Sequence, residues 1–479
     1  MRVVLPIACA TMVVAAAALV LRADDRPARD ARIQELVDAA DLIAPEFAAD
    51  ALIRLSGSSR ITDRRWRLEL LDEAYARAYA SQDSYARSSA PGVVPPGSRQ
   101  GAQLLADATS LNRLSLQVRI AQLAAVTDPV HGRELFEWID LKLAPGTCDD
   151  PLVPAVDEYY SALSRIARAS FGGDRSEALR FFLVYLWRAH LPSEMPAVAR
   201  ALHRFRPDVY EASYLEGVFR RILEAGSTDP RGFSVADLDI VTEVADLQKA
   251  DRDLGVINWY LLEGLRDYLI TQLEGPRCSD SVTEALTPAS FNAALGRLGA
   301  VKFVDPIDPA GLRPSKMLGV VRIDPYWQTP ESRRLYEAGL DVRGRGRTPV
   351  PIRVRQTKEW TEQAERLLTE IDQWTGRSER VERDYFYQKS MLLGGLIELM
   401  PASAVRTKAL LTFVEFLRLS DVDRDRRPLW FAFMNRLLEM ARGADRREIL
   451  AALENSHHPV LSLYARMERI APRFNRVIE

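Results

Sequence analysis

Two cysteine-bearing turns limit what this chain can fold into more than any other feature of it. One reads Leu143-Ala-Pro-Gly-Thr-Cys148 and the other Leu273-Glu-Gly-Pro-Arg-Cys278. Each follows apolar residues at matching helical spacing: Leu135, Trp138, Ile139 and Leu143 before the first, and Leu265, Tyr268, Leu269 and Leu273 before the second. An acid stands two residues beyond each cysteine, Asp150 and Asp280. The third cysteine, Cys9, lies in an N-terminal apolar run whose Pro6-Ile7-Ala8 is a poor lipidation signal. In an oxidising compartment the remaining pair predicts a disulfide, Cys148 to Cys278. Closing a loop of about 130 residues would stabilise the fold by roughly 5 kcal/mol if lost unfolded-chain entropy dominates.

Apolar periodicity predicts six helices between these cysteines, near 154–171, 176–190, 195–205, 209–225, 234–252 and 256–274. Phe171-Gly-Gly-Asp174, Leu191-Pro192, Arg206-Pro207 and Thr228-Asp-Pro-Arg-Gly232 separate them. Packed helices lie about 8–10 Å apart, so three hairpins stacked straight would hold the two turns on the order of 30 Å apart. Bonded cysteines need Cα atoms within about 7 Å. A bond is therefore expected to require that the six helices curl into a closed unit.

The helical pattern extends beyond this region. Before it, 30–43, 46–55 and 63–79 read as helices, with Asp30 as an N-cap, followed by the Ser/Pro/Gly-rich loop 81–99 and a helix containing Leu111, Leu114, Val118, Ala121 and Ala125. After it, prolines at 306, 309, 314, 325, 330, 349 and 351 break the pattern, and periodicity returns from Thr357 onward. The pieces 318–323 and 351–354 suggest at most a small hairpin. No convincing strand alternation is found, and the fixed residues of tetratricopeptide repeats are missing. The expected fold class is all-α: tandem helical hairpins forming an α-solenoid-like or compact α/α superhelical array, with an irregular Pro-rich segment near 301–356. The corresponding division is a signal peptide or membrane anchor at 1–23, an N-terminal helical-hairpin domain at 24–300, a Pro-rich linker or inserted loop at 301–356, and a C-terminal helical domain at 357–479.

Arg2 followed by the uncharged stretch 3–21 resembles a secretory signal, and it is also long enough for one membrane-spanning helix. Either reading places the body of the chain outside the cytoplasm, periplasmic or secreted, with membrane attachment only through an uncleaved leader. Acidic and basic residues nearly balance at 66 and 64, for a formal charge of −2, which argues against nucleic acid as the main partner.

No catalytic, cofactor or metal motif emerges. The five histidines lack His-Glu-x-x-His spacing, and His457-His458 reads as a turn. Asp421-Val-Asp423-Arg-Asp425 begins like a calcium loop, but Arg426 and Ala432 hold the places that need Gly and Glu. Tyr385 and Lys389 match a dehydrogenase spacing without the strand and Gly-rich turn that chemistry requires, so packing is the expected role. Asp157-Glu158 and Asp149-Asp150 are adjacent acids, and a glycosidase pair is not identified by adjacency. Two features stand out as candidate contacts. Arg343, Arg345, Arg347, Arg353 and Arg355 form the one basic cluster, suited to an anion or an acidic partner. Trp327 sits in the Pro-rich region rather than on a helical stripe, either as an exposed aromatic for a ligand or as the residue that pins that region to the helices. The expected function is an extracytoplasmic helical-repeat scaffold for a protein or peptide partner. The alternative is a carbohydrate-active lyase or hydrolase on a helical toroid.

Overall fold

The computed structural model describes residues 29–470 apart from 82–84, 90–93, 96, 206–208, 226–232, 254–257, 280, 346–349, 378–381, 421–425 and 442. The leader, Arg347 and the calcium-like acids 421–425 lie outside the described residues. The fold is all-α, with 21 α-helices and four short strands among the described residues. No helix among them is long and apolar enough to cross a membrane.

Helix starts follow local chemistry. The side chains of Asp30, Asp63, Ser98, Asn112, Asp128 and Asp174 each accept a backbone N–H of the first turn, which pairs a donor the helix itself cannot satisfy. Helices α1 (Ala31–Ala40), α2 (Pro45–Ser56), α3 (Arg64–Tyr79), α4 (Arg99–Asp107), α5 (Arg113–Thr127) and α6 (Pro129–Glu137) open the chain. Next come α7 (Asp157–Ala169), α8 (Arg175–Leu186), α9 (Met195–Phe205), α10 (Val209–Ala225), α11 (Phe233–Asp253), α12 (Trp259–Glu274) and α13 (Ser281–Leu298). Helices α2, α3, α5, α7, α9, α11 and α13 stack in that order. A second layer is made as α6 folds onto α5, α8 onto α7, α10 onto α9 and α12 onto α11. This is a solenoid of helical hairpins, with apolar stripes facing inward between the layers.

The cysteines are joined, with Cα atoms 5.5 Å apart. The helices between them stack in sequence order. Helix α6 stops at Glu137, and the chain from Ile139 to Leu152 is not helical. This loop is held on the segment before α4: Ala144 N–H donates to Tyr85 Oη at 3.0 Å, and Arg87 Nη1 donates to Asp150 Oδ2 at 2.5 Å. The two turns are not structural repeats either. Leu265, Tyr268, Leu269 and Leu273 are all buried on α12, whereas Trp138 is 68% exposed and caps the end of α6.

The Pro-rich region is a strap. Strand β3 (Arg277–Ser279) pairs in parallel with β4 (Met317–Val320), with Cys278 opposite Gly319, and not as the small hairpin expected from 318–323 and 351–354. A further small pair joins β1 (Arg87–Ser88) to β2 (Val153–Pro154). Beyond β4 the strap passes the disulfide, where Arg322 N–H donates to the Cys148 carbonyl at 3.0 Å. It then reaches the start of α4. There Arg99 N–H donates to Asp324 O at 2.9 Å, and Tyr326 N–H donates to Gly97 O at 3.0 Å. Residues 352–355 form a one-turn helix, α15 (Ile352–Arg355).

A helix that the sequence reading did not anticipate, α14 (Pro330–Arg343), follows the strap. Thr329 caps it and Pro330 occupies its first turn, a start signal hidden among helix-breaking prolines. Then come α16 (Lys358–Gln373), α17 (Glu382–Leu399), α18 (Ala404–Leu419), α19 (Arg427–Met440), α20 (Gly443–Glu454) and α21 (Pro459–Ile470). These return to the beginning of the chain: α19 packs on α4, and α21 packs on α1 and α2. Phe47 of α2 packs against Trp430 and Phe431 of α19, with ring centroids 5.9 and 5.4 Å away. One apolar core runs without a break from Ile33 to Met467.

Candidate functional site

The strap, α14, α16 and α17 enclose a cavity of about 400 Å³. Trp327 lines it, and its ring stacks on Tyr336 of α14 at 4.6 Å. The strap on which Trp327 sits is held from the other side by the preceding residue. Tyr326 is buried and stacked on Tyr387 of α17 at 4.5 Å, and its carbonyl accepts from Gln388 Nε2 at 2.8 Å. Apolar side chains from α17 complete the wall, Met391, Leu392, Leu396 and Leu399, with Leu367 from α16. Such a lining suits an apolar group: each Å² removed from water is worth about 25 cal/mol. Pockets that bind small molecules usually enclose about 300–1,000 Å³, so this one lies at the small end.

Small residues create the space. An added Cβ at Gly395, on α17, would meet nothing within 4 Å. At Gly97 it would come within 3.3 Å of the Trp327 indole nitrogen. Glycine in a helix interior costs about 1 kcal/mol relative to alanine, so Gly395 keeps the cavity open against local propensity.

Polar groups are few. The Trp327 indole nitrogen is closed off from solvent and has no hydrogen-bond partner among the described residues. Burial pushes the Tyr387 hydroxyl up to about 12, so it stays protonated at neutral pH. Arg343, the last residue of α14, lines the cavity and has no ion-pair partner among the described residues. Gly344 follows it at φ 94°, a left-handed conformation that ends the helix. The last carbonyls of α14 are occupied: Val342 O accepts from Trp360 Nε1 at 3.1 Å, and Arg343 O accepts from Val350 N at 3.0 Å.

The structure therefore brings Trp327 and Arg343 to one site, though they were separate candidates in sequence. The other arginines are dispersed. Arg345 is held by Asp341 at 2.6 Å and Glu337 at 3.4 Å. Arg355 donates to Leu399 O at 3.1 Å, and Arg353 is exposed on α15. Sequence reasoning missed Tyr336, Tyr387 and the α17 wall. The available signal was Gly394-Gly395 within an otherwise regular helix.

The other sequence motifs make contacts elsewhere in the fold. Tyr385 Oη donates to Trp374 O at 2.7 Å, and Lys389 Nζ donates to Asp372 O at 3.0 Å and Trp374 O at 2.9 Å. Both side chains thus cap the C-terminal end of α16. His131 bonds Asp72 at 2.7 Å, and His458 stacks on Trp430 at 5.1 Å. Asp157 and Glu158 begin α7 and line a polar cleft of about 510 Å³ with Arg119, Arg165 and Arg204. Asp157 is engaged by Arg200, which also holds Glu243 at 2.7 Å. Comparison with protein-family models, curated proteins and solved structures finds no match to this chain.

Proposed function

We propose that this chain is a binding protein that receives an apolar portion of a peptide or protein partner in the cavity beneath Trp327. The observation that carries this reading is the cavity itself: an apolar chamber roofed by a stacked aromatic and kept open by a helix-interior glycine. Anchoring of this kind, by an apolar side chain in a preformed pocket, concentrates binding energy in few residues. The helical array around it supplies a rigid support. An extracytoplasmic location is part of the proposal, supported by the signal-like leader and by a disulfide spanning 130 residues.

The test is a thermal-shift and calorimetric screen of short apolar peptides against the natural protein and its Gly395→Leu variant. The added side chain fills the cavity. Binding to the natural protein that is lost in the variant supports the reading, and binding unaffected by the substitution contradicts it.

A second reading, a carbohydrate-active enzyme, is favoured by one observation: Asp157 and Glu158 line the polar cleft between α5, α7 and α9. Hydrolysis or eliminative cleavage of glycans that disappears in a Glu158→Gln variant would replace the binding proposal.

A further inference from the structure

We infer that the cavity beneath Trp327 selects the free C-terminus of a peptide ending in apolar residues, an assignment that rests on the binding role proposed above. Three observations lead there. The first is charge. Among the described residues that line the cavity, Arg343 is the one that carries a charge; it is exposed and no carboxylate pairs with it. An unpaired guanidinium beside an apolar chamber is complementary to a ligand with a single carboxylate and an apolar body. The negative end of the α14 dipole would oppose an anion here, but the Val342 and Arg343 carbonyls are already taken up by the Trp360 and Val350 N–H groups. The guanidinium is what remains to meet the ligand.

The second observation is the Trp327 indole N–H. A donor buried without a partner is unfavourable, and that cost is relieved when an acceptor arrives. The nitrogen lies beside Gly97, where an added Cβ would come within 3.3 Å of it, so an acceptor that pairs with it must come close to that glycine. A peptide carries carbonyl acceptors along its backbone at regular intervals. A saturated fatty acid carries the same carboxylate and apolar body but no acceptor beyond the carboxylate itself, so with that group on Arg343 it brings no backbone carbonyl to this donor. The third observation is size. About 400 Å³ holds one or two apolar residues and not a folded element, so the recognised feature is a chain end.

The experiment is calorimetric titration of the full chain with three probes: an acetylated tripeptide ending in two leucines with a free carboxylate, the same tripeptide as its C-terminal amide, and decanoate. The acid is expected to bind at least tenfold more tightly than the amide, and more tightly than decanoate. In Arg343→Gln, acid affinity should fall to that of the amide while amide affinity stays unchanged. In Gly395→Leu all binding should vanish, with Trp327→Phe as a second, milder variant weakening both peptides. Equal affinity for acid and amide in the natural protein overturns C-terminal selection, and so does decanoate binding most tightly. In either case, loss of binding in Gly395→Leu would leave the cavity as the binding site. Peptide binding that survives Gly395→Leu overturns both the selection and the site, as does the failure of every probe to bind.

Discussion

The Tyr464 hydroxyl donates to the buried carboxylate of Asp50 at 2.8 Å, joining the last helix of the described chain to the second. The same hydroxyl lies 3.1 Å from Phe47 O. Asp50 is also held by Arg54 at 2.6 Å and Arg119 at 3.0 Å, and is only 1% exposed. Four residues from three helices thus meet around one buried charge. Removing one partner of a buried charge network leaves the others uncompensated, at a cost of about 3–5 kcal/mol. Asp50→Ala should therefore destabilise by about 3 kcal/mol or more, and Tyr464→Phe by about 1–2 kcal/mol through the lost hydrogen bond. Denaturant unfolding of the two variants measures both, and a change under 0.5 kcal/mol (about the usual surface-substitution effect) in Asp50→Ala would contradict the assignment.

The same carboxylate predicts an acid response. Burial alone would raise its pKa, but the Arg54 and Arg119 charges, with the Tyr464 and Arg119 hydrogen bonds, hold it below the ordinary carboxylate value. A group depressed in the folded state contributes its stability in full above the unfolded pKa, about 3.9 for Asp, and loses it as pH falls through the folded value. Unfolding free energy should drop as pH falls below about 4, and the drop should be shallower in Asp50→Asn. Denaturant titrations at stepped pH provide the comparison.

Gly376, which follows α16, has φ 67°, and an added Cβ would lie 2.2 Å from the Tyr385 ring. A Cβ there meets both left-handed backbone strain and an aromatic ring locked by its bond to Trp374 O. Gly376→Ala should destabilise by about 2–4 kcal/mol, read as a lowered melting temperature. Gly395→Ala, where the same atom meets open space, should be neutral or slightly stabilising because alanine is the better helix former.

Much of the fold was legible in the sequence. The six helices between the cysteines appear within a few residues of where periodicity put them, because each carries an apolar stripe and all but α8 meet a Gly or Pro within three residues of their end. Asp30 was legible as a cap for the same local reason. The course of the Cys148 loop was not, because Trp138 and Leu143 continue the periodic pattern beyond the point where α6 stops. The site was half legible. Trp327 and Arg343 stand out by composition, but their meeting depends on α14 turning the chain back beneath the strap, and on partners far downstream on α17, from Tyr387 to Leu399. Side-chain contact over that range leaves no local pattern. The bonded cysteines were legible from their number, while the path that joins them was not.

The disulfide fastens the strap that carries Trp327. An added Cβ at Gly319 would come within 3.2 Å of Cys148 Cβ, so strap and bond are in direct contact. Replacing both Cys148 and Cys278 by serine should cost about 3–5 kcal/mol of stability and weaken binding at the cavity. Melting curves and titrations with and without reductant test this on the natural protein as well.

The central claim is that an apolar ligand sits against Trp327. The most direct measurement is fluorescence quenching by a tripeptide whose apolar residue carries bromine, since bromine quenches indole only at contact. The chain has eight tryptophans, so the natural protein is compared with Trp327→Phe. Saturable quenching in the natural protein that is absent from Trp327→Phe, with binding still detectable by calorimetry, is the predicted result. Equal quenching in the two proteins, or calorimetric binding with no quenching in either, would contradict it.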